Sequence, residues 1–206
     1  MGKTIRPLKD RSLKLILCVA AVLGTSSPHN GLVMARTPVD AGTTHATREF
    51  SEHVRKYVKL HRQLEASLPA LKPTKDPAVI VDNQQALAKK ILQARRNARQ
   101  GELFTPEVSS EFRVILSEVF HGPDAALARS TIKQGEPVKA VSLHINSTYP
   151  DGVPVTTVPP SVLQKLPELP REVEYRIIDR FLVLQDVRAN LIVDYMDGAI
   201  PSKSKK

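Results

Sequence analysis

Apolar and polar positions follow two rhythms along this chain. Between residues 46 and 68, Phe50, Val54, Tyr57, His61, Leu64 and Leu68 recur at alternating intervals of four and three. That spacing lines up one face of a helix. Arg48, Arg55, Lys56, Lys59 and Arg62 fall on the other side, where a solvated basic face is expected. Asp76 and Pro77 open a second helix, one as its cap and the other as its first residue. Ile80, Gln84, Leu87, Ile91, Ala94 and Ala98 carry its seam to about Gln100, and Gly101 stops it. The two helices are expected to pair as an antiparallel hairpin. Thr105-Pro106-Glu107 starts a third helix along Phe112, Ile115, Leu116, Val119 and Phe120, which His121-Gly122-Pro123 ends. Asp124 caps a shorter fourth through Ile132.

Toward the C-terminus the period shortens to two. VEYRIID, FLVLQ and LIVDYM read as three strands of an antiparallel meander. Asp179-Arg180 makes the first connection without a glycine, and Asn190 is the residue of the second most tolerant of a left-handed conformation. Regular alternation puts Val173, Tyr175, Ile177, Leu182, Leu184, Leu191, Val193 and Tyr195 on a wholly apolar core face. Glu174, Arg176, Ile178, Phe181, Val183, Gln185, Ile192, Asp194 and Met196 form a mixed second face. There Arg176 and Asp194 would sit two strand spacings apart, roughly 9.6 Å, as a cross-sheet ion pair. A strand over residues 138–149 would make a fourth member of the sheet. A short helical turn over residues 159–167, bracketed by prolines, would pack Val162, Leu163 and Leu166 against it. The fold class is therefore α+β. A helical region covers residues 45–135 and a β-meander module residues 136–201.

The N-terminus changes the picture of where the protein acts. Lys3, Arg6, Lys9, Arg11 and Lys14 precede or border an apolar stretch over residues 13–24, too short for an ordinary membrane-spanning helix. Residues 1–35 therefore read as a signal peptide, cleaved after residues 24–27 or after Ala35; an uncleaved anchor is the alternative. Residues 36–44 read as a flexible spacer and 202–206 as a basic tail. Cleavage after Ala35 sheds five basic residues and one acidic one, so the net charge falls from +9 to +5. It also removes Cys18, the single cysteine, leaving no disulfide, thiol nucleophile or thiolate metal site. Much of the basicity thus belongs to the leader and the tail, which weighs against nucleic acid as a partner. Trp is absent, which argues against a sugar-binding or base-stacking platform.

Candidate chemistry is sparse. The sequence holds no Gly-x-Ser-x-Gly, phosphate loop, His-Glu-x-x-His or dinucleotide fingerprint. Glu118 and His121 share one side of a helix, but a carboxylate-bridged metal site needs further ligands. His61, alone in an apolar stripe, reads as a packed side chain rather than a ligand. No catalytic residue, cofactor or metal is expected.

Several segments together carry a resemblance: Gly101-Glu-Leu-Phe-Thr-Pro-Glu107, Phe112-Arg113, Tyr149-Pro-Asp-Gly-Val-Pro154, Val158-Pro-Pro160, Leu166-Pro-Glu-Leu-Pro170, Glu174-Tyr-Arg176 and Ala189-Asn-Leu-Ile-Val-Asp194. The set resembles a group of uncharacterised exported bacterial proteins over residues 86–201, which implies export and no particular activity. Tyr175-Arg176, Leu182-Val183-Leu184, Asp186 and Ile192-Val193-Asp194 are also similar to the C-terminal β meander of small periplasmic proteins linked to nickel and cobalt homeostasis. That likeness implies the meander more than a metal role. Here Asp179-Arg180 replaces the usual hairpin glycine.

The expectation is an exported, periplasmic or secreted, non-catalytic binding or scaffold module, with another envelope protein as its partner. Its interaction face would be the mixed side of the sheet: Arg176, Phe181, Val183, Ile192, Asp194 and Met196. Two alternatives stand beside it. One is a small hydrolase using carboxylates near Asp151, Asp186 and Asp194. The other is an envelope-surface or metal-homeostasis accessory protein, its basic helix faces touching anionic membrane.

Overall fold

The structure, a computed structural model, describes residues 44–133, 142–149 and 158–201. The signal peptide, residues 36–43 of the spacer, the basic tail and Asp151 lie outside them. The fold is α+β: helices α1 (His45–Ala66), α2 (Pro77–Ala94), α3 (Pro106–His121), α4 (Ala125–Lys133) and α5 (Pro160–Leu163) precede strands β1 (Val173–Ile178), β2 (Phe181–Asp186) and β3 (Leu191–Met196). No helix among the described residues is long and apolar enough to cross a membrane.

The helix starts follow the capping chemistry. The Thr44 hydroxyl accepts the Thr47 N–H, the Asp76 carboxylate the Ala78 N–H and the Thr105 hydroxyl the Val108 N–H. Thr44, assigned to the spacer from sequence, is therefore the cap of α1. The end of α2 differs from expectation. It stops at Ala94, not near Gln100, because the Arg95 side chain turns into the protein. Its guanidinium donates to Asn146 Oδ1 at 3.0 Å and to the Val193 carbonyl at 3.1 Å, and meets Glu102 at 3.2 Å. Only Leu87, Ala88 and Ile91 of α2 are buried, while Ile80 of the expected seam is exposed.

β1, β2 and β3 form a three-stranded antiparallel sheet in sequence order. The first pairing keeps the expected register, with Tyr175 opposite Leu184 and Ile177 opposite Leu182. The second does not. Gln185 pairs with Ile192 but Leu184 pairs with Asp194, so Val193 is an extra residue in β3. Such a bulge reverses the alternation of everything beyond it. Met196 therefore lies opposite Leu182 in the main core, and Tyr195 lies opposite Val183 on the second face. The sequence-based assignment of Tyr195 to the core face and of Met196 and Asp194 to the mixed face is corrected accordingly.

One apolar core joins helices and sheet. Phe50 of α1 stacks on Phe104 and on Tyr175 of β1, with ring centroids 5.2 and 6.1 Å apart, and meets Phe112 of α3 edge-on. Val162 and Leu166 close this core from α5 and the residues after it, whereas Leu163, expected to join them, is 49% exposed.

The second face of the sheet is covered not by helices but by residues 142–149. Leu143 and Tyr149 bury Ile178, Val183 and Ile192, and Phe181 and Tyr195 pack at the margin. Ile192 exchanges two backbone hydrogen bonds with this segment, accepting from Asn146 and donating to Ser147, both at 2.8 Å. The segment is no regular strand. Asn146 has φ 65°, and a single bridge joins Thr148 to Leu191. The first part of the expected strand, residues 138–141, lies outside the described residues.

Candidate functional site

Among the described residues, two places stand out as candidates. The first is buried around Asp186, the last residue of β2. Tyr57 and His61 lie one helical turn apart on the buried face of α1, and the i, i+4 spacing points both at the same spot. The Tyr57 hydroxyl donates to Asp186 Oδ2 at 2.6 Å, and His61 Nδ1 lies 2.6 Å from the same oxygen. The Ala189 N–H donates to Oδ1 at 2.7 Å. His61 Nε2 faces Glu65 at 3.6 Å, and Glu65 pairs with Arg188 at 3.0 Å. Burial by itself lowers the His61 pKa. The Asp186 hydrogen bond and charge, with Glu65 and Glu172, outweigh it and hold the imidazole above its ordinary value. Burial, then Asp186, pushes the Tyr57 phenol up.

This constellation supplies the orienting histidine that the sequence did not show beside Asp186. Its geometry is nevertheless that of a fastener. His61 is 1% exposed and Asp186 0%, and both Asp186 oxygens are taken by groups of the protein itself. The pair therefore ties α1 to β2 inside the protein.

Asp194 has the same character. Its carboxylate accepts the N–H groups of Gly101, Leu103, Phe104 and Tyr195 at 2.7–2.9 Å. The expected cross-sheet pair with Arg176 does not form. Arg176 instead donates to Gln185 Oε1 at 3.0 Å and pairs with Glu174. Of the six residues assigned to an interaction face, Val183 and Ile192 are buried under residues 142–149, and Asp194 and Met196 are buried on the helix side. Phe181 is half-buried, and Arg176 sits at the sheet edge. The bulge and the cover thus divide what regular alternation grouped together. Glu118 is exposed, and His121 is spent on the Ser117 carbonyl at 2.8 Å. No group of three or more His, Cys, Asp or Glu able to hold a metal ion occurs among the described residues.

The second place is a groove of about 660 Å³ between β1 and the residues following α5. Val173, Glu174, Tyr175 and Arg176 line one wall, and Leu163 and Leu169 stand opposite. Successive strand residues point to opposite faces of a sheet. A hollow that touches four in a row therefore runs along the edge of β1 rather than over one face. Among the described residues β1 is an outer strand, and an outer strand directs alternate N–H and C=O groups away from the sheet. The Tyr175 hydroxyl donates to the Pro167 carbonyl at 3.1 Å, holding the far wall in place. Pro167 and Pro170 stiffen that wall.

No relative decides between these places. Protein-family models, curated proteins and solved structures were compared with the chain, and none matches. The sequence signal for the groove is Leu166-Pro-Glu-Leu-Pro170, a proline-stiffened and largely apolar wall just before a strand.

Proposed function

We propose that this chain is an exported, non-catalytic binding module of the cell envelope, and that it takes an extended peptide segment of a partner protein along the edge of β1. The observation that carries this reading is the groove touching four consecutive residues of an outer strand. Main-chain groups of such a strand pair with any extended segment, and the flanking apolar wall selects its side chains. The leader over residues 1–35 supports export. The carboxylates Asp186 and Asp194, buried and hydrogen-bonded to groups of the protein itself, support a binding role over hydrolysis.

Site-specific photocrosslinking in cells tests it. A crosslinker replacing Leu163 or Glu168, both lining the groove, is expected to capture one discrete partner, with the adduct mapping to an extended stretch of it. The same group at Val114, which is 60% exposed on α3, is expected to capture nothing. Equal labelling from Val114, or none from the groove, would sink the reading.

A further inference from the structure

The groove beside β1 does not end at its apolar wall. Glu168 and Leu169 also line a smaller hollow of about 290 Å³ against α1, which holds Arg55 and Pro170. Arg55 and Pro170 in turn line a third hollow of about 520 Å³ with Lys59 and Arg62. Glu168 and Leu169 are common to the first two hollows, and Arg55 and Pro170 to the second and third, so the three lie in a row. The row leads from the edge of β1, past Pro170, onto the basic face of α1.

Charge changes sign along this path. At the β1 end the cation Arg176 is paired with Glu174, and Glu168 adds a negative charge. At the α1 end stand three cations. Arg62 is committed to the buried Glu172, its Nε and a terminal nitrogen donating at 2.8 and 3.1 Å. Arg55 donates its Nε to the Ser51 carbonyl at 3.3 Å and has a long contact to Glu52 at 3.9 Å, and Lys59 is exposed.

We infer that the occupant is an extended peptide with two chemistries in series, apolar side chains beside β1 and acidic side chains over Arg55 and Lys59. The inference rests on the peptide-binding reading above and adds the partner's chemical polarity. A peptide antiparallel to β1 would carry its acidic block at the C-terminal end, a parallel one at the N-terminal end. Exposed ion pairs of this kind add modest affinity that salt screens.

Fluorescence anisotropy on the full chain separates the outcomes. The probes are a peptide alternating Val and Thr joined to a Glu block, in both orders, and the same peptides with Gln in place of Glu. The Glu-bearing probe in one order is expected to bind most tightly. Arg55→Gln with Lys59→Gln is expected to weaken it roughly three- to tenfold at low salt, leaving the Gln probe unchanged. Equal binding of Glu and Gln probes overturns the inference and leaves the groove reading standing. Failure of every probe, or binding unaffected by Leu163→Asp, overturns both. Binding to phosphatidylglycerol vesicles that the double substitution abolishes, without peptide binding, would assign the basic end to lipid and also overturn it.

Discussion

Asp194 shows how much one side chain can decide in a small α+β protein. Its carboxylate satisfies four backbone N–H groups, three of them from residues 101–104, which connect the end of α2 to α3. Gly101 there takes φ 88°, a conformation open chiefly to glycine. Removing the carboxylate leaves buried donors unpaired, at about 1–3 kcal/mol each. Asp194→Ala is therefore expected to lower the unfolding free energy in urea by about 3 kcal/mol or more. Asp194→Asn should rescue little, because either amide orientation turns an NH2 toward two donors. Arg176→Gln should change stability by less than about 1 kcal/mol, since Arg176 lies on the outer strand β1 and its ion pair with Glu174 is partly exposed. The double substitution should be additive within about 0.5 kcal/mol. A larger coupling would restore the cross-sheet pair that the alternation of residues suggested.

At the scale of elements, local signals were legible and long-range ones were not. Caps, the α1 stripe, the β1–β2 register and the left-handed turn residues follow from short stretches. Asn190 has φ 53°, as its side chain allows, and Asp179 supplies the same φ where a glycine was missed. The bulge at Val193 was hidden because regular alternation puts charged Asp194 on the mixed face, whereas the bulged register buries it against the N–H groups of Gly101, Leu103 and Phe104, remote in sequence. The early end of α2 depends on Arg95 finding Asn146 and Val193, partners remote in sequence. The same remoteness hid the junction of α1 with β2. Its His61 carries a sign-definite consequence. The folded state holds the imidazolium proton more tightly than the unfolded chain, whose histidines titrate near about 6.5. This stabilisation is complete below that pH and is lost as pH rises through the raised folded value. Tm should thus fall as pH climbs from about 6.5 upward, and His61→Gln should flatten that fall while lowering Tm throughout. Parallel curves for the two proteins would remove His61 as the cause. In acid the sign reverses. Arg62 and Arg180 hold the Glu172 and Asp197 carboxyls below their usual range, so their contribution disappears as pH falls below about 4.

Across the whole molecule, the division into a helical region and a β module dissolves in the core. Phe50, Phe104, Phe112 and Tyr175 form one aromatic cluster drawn from α1, the loop before α3, α3 itself and β1. The meander buries one face on those rings and the other on residues 142–149, so each surface of the sheet depends on chain outside it. A three-stranded sheet with both faces exposed to water is marginal. A fragment of residues 158–201 is therefore expected to show no cooperative thermal transition, whereas the full chain unfolds in one step. Phe50→Ala should cost about 3–5 kcal/mol and lower helix and sheet signals together in a single transition. Two separable transitions, or a fragment that folds alone, would mean that the meander is an independent unit. The row of hollows would then lie between two separately stable pieces, and its spacing would follow their relative motion. With a common core, the edge of β1 and the basic face of α1 are held at one fixed spacing. That rigidity is what the proposed extended partner would need in order to be read by both.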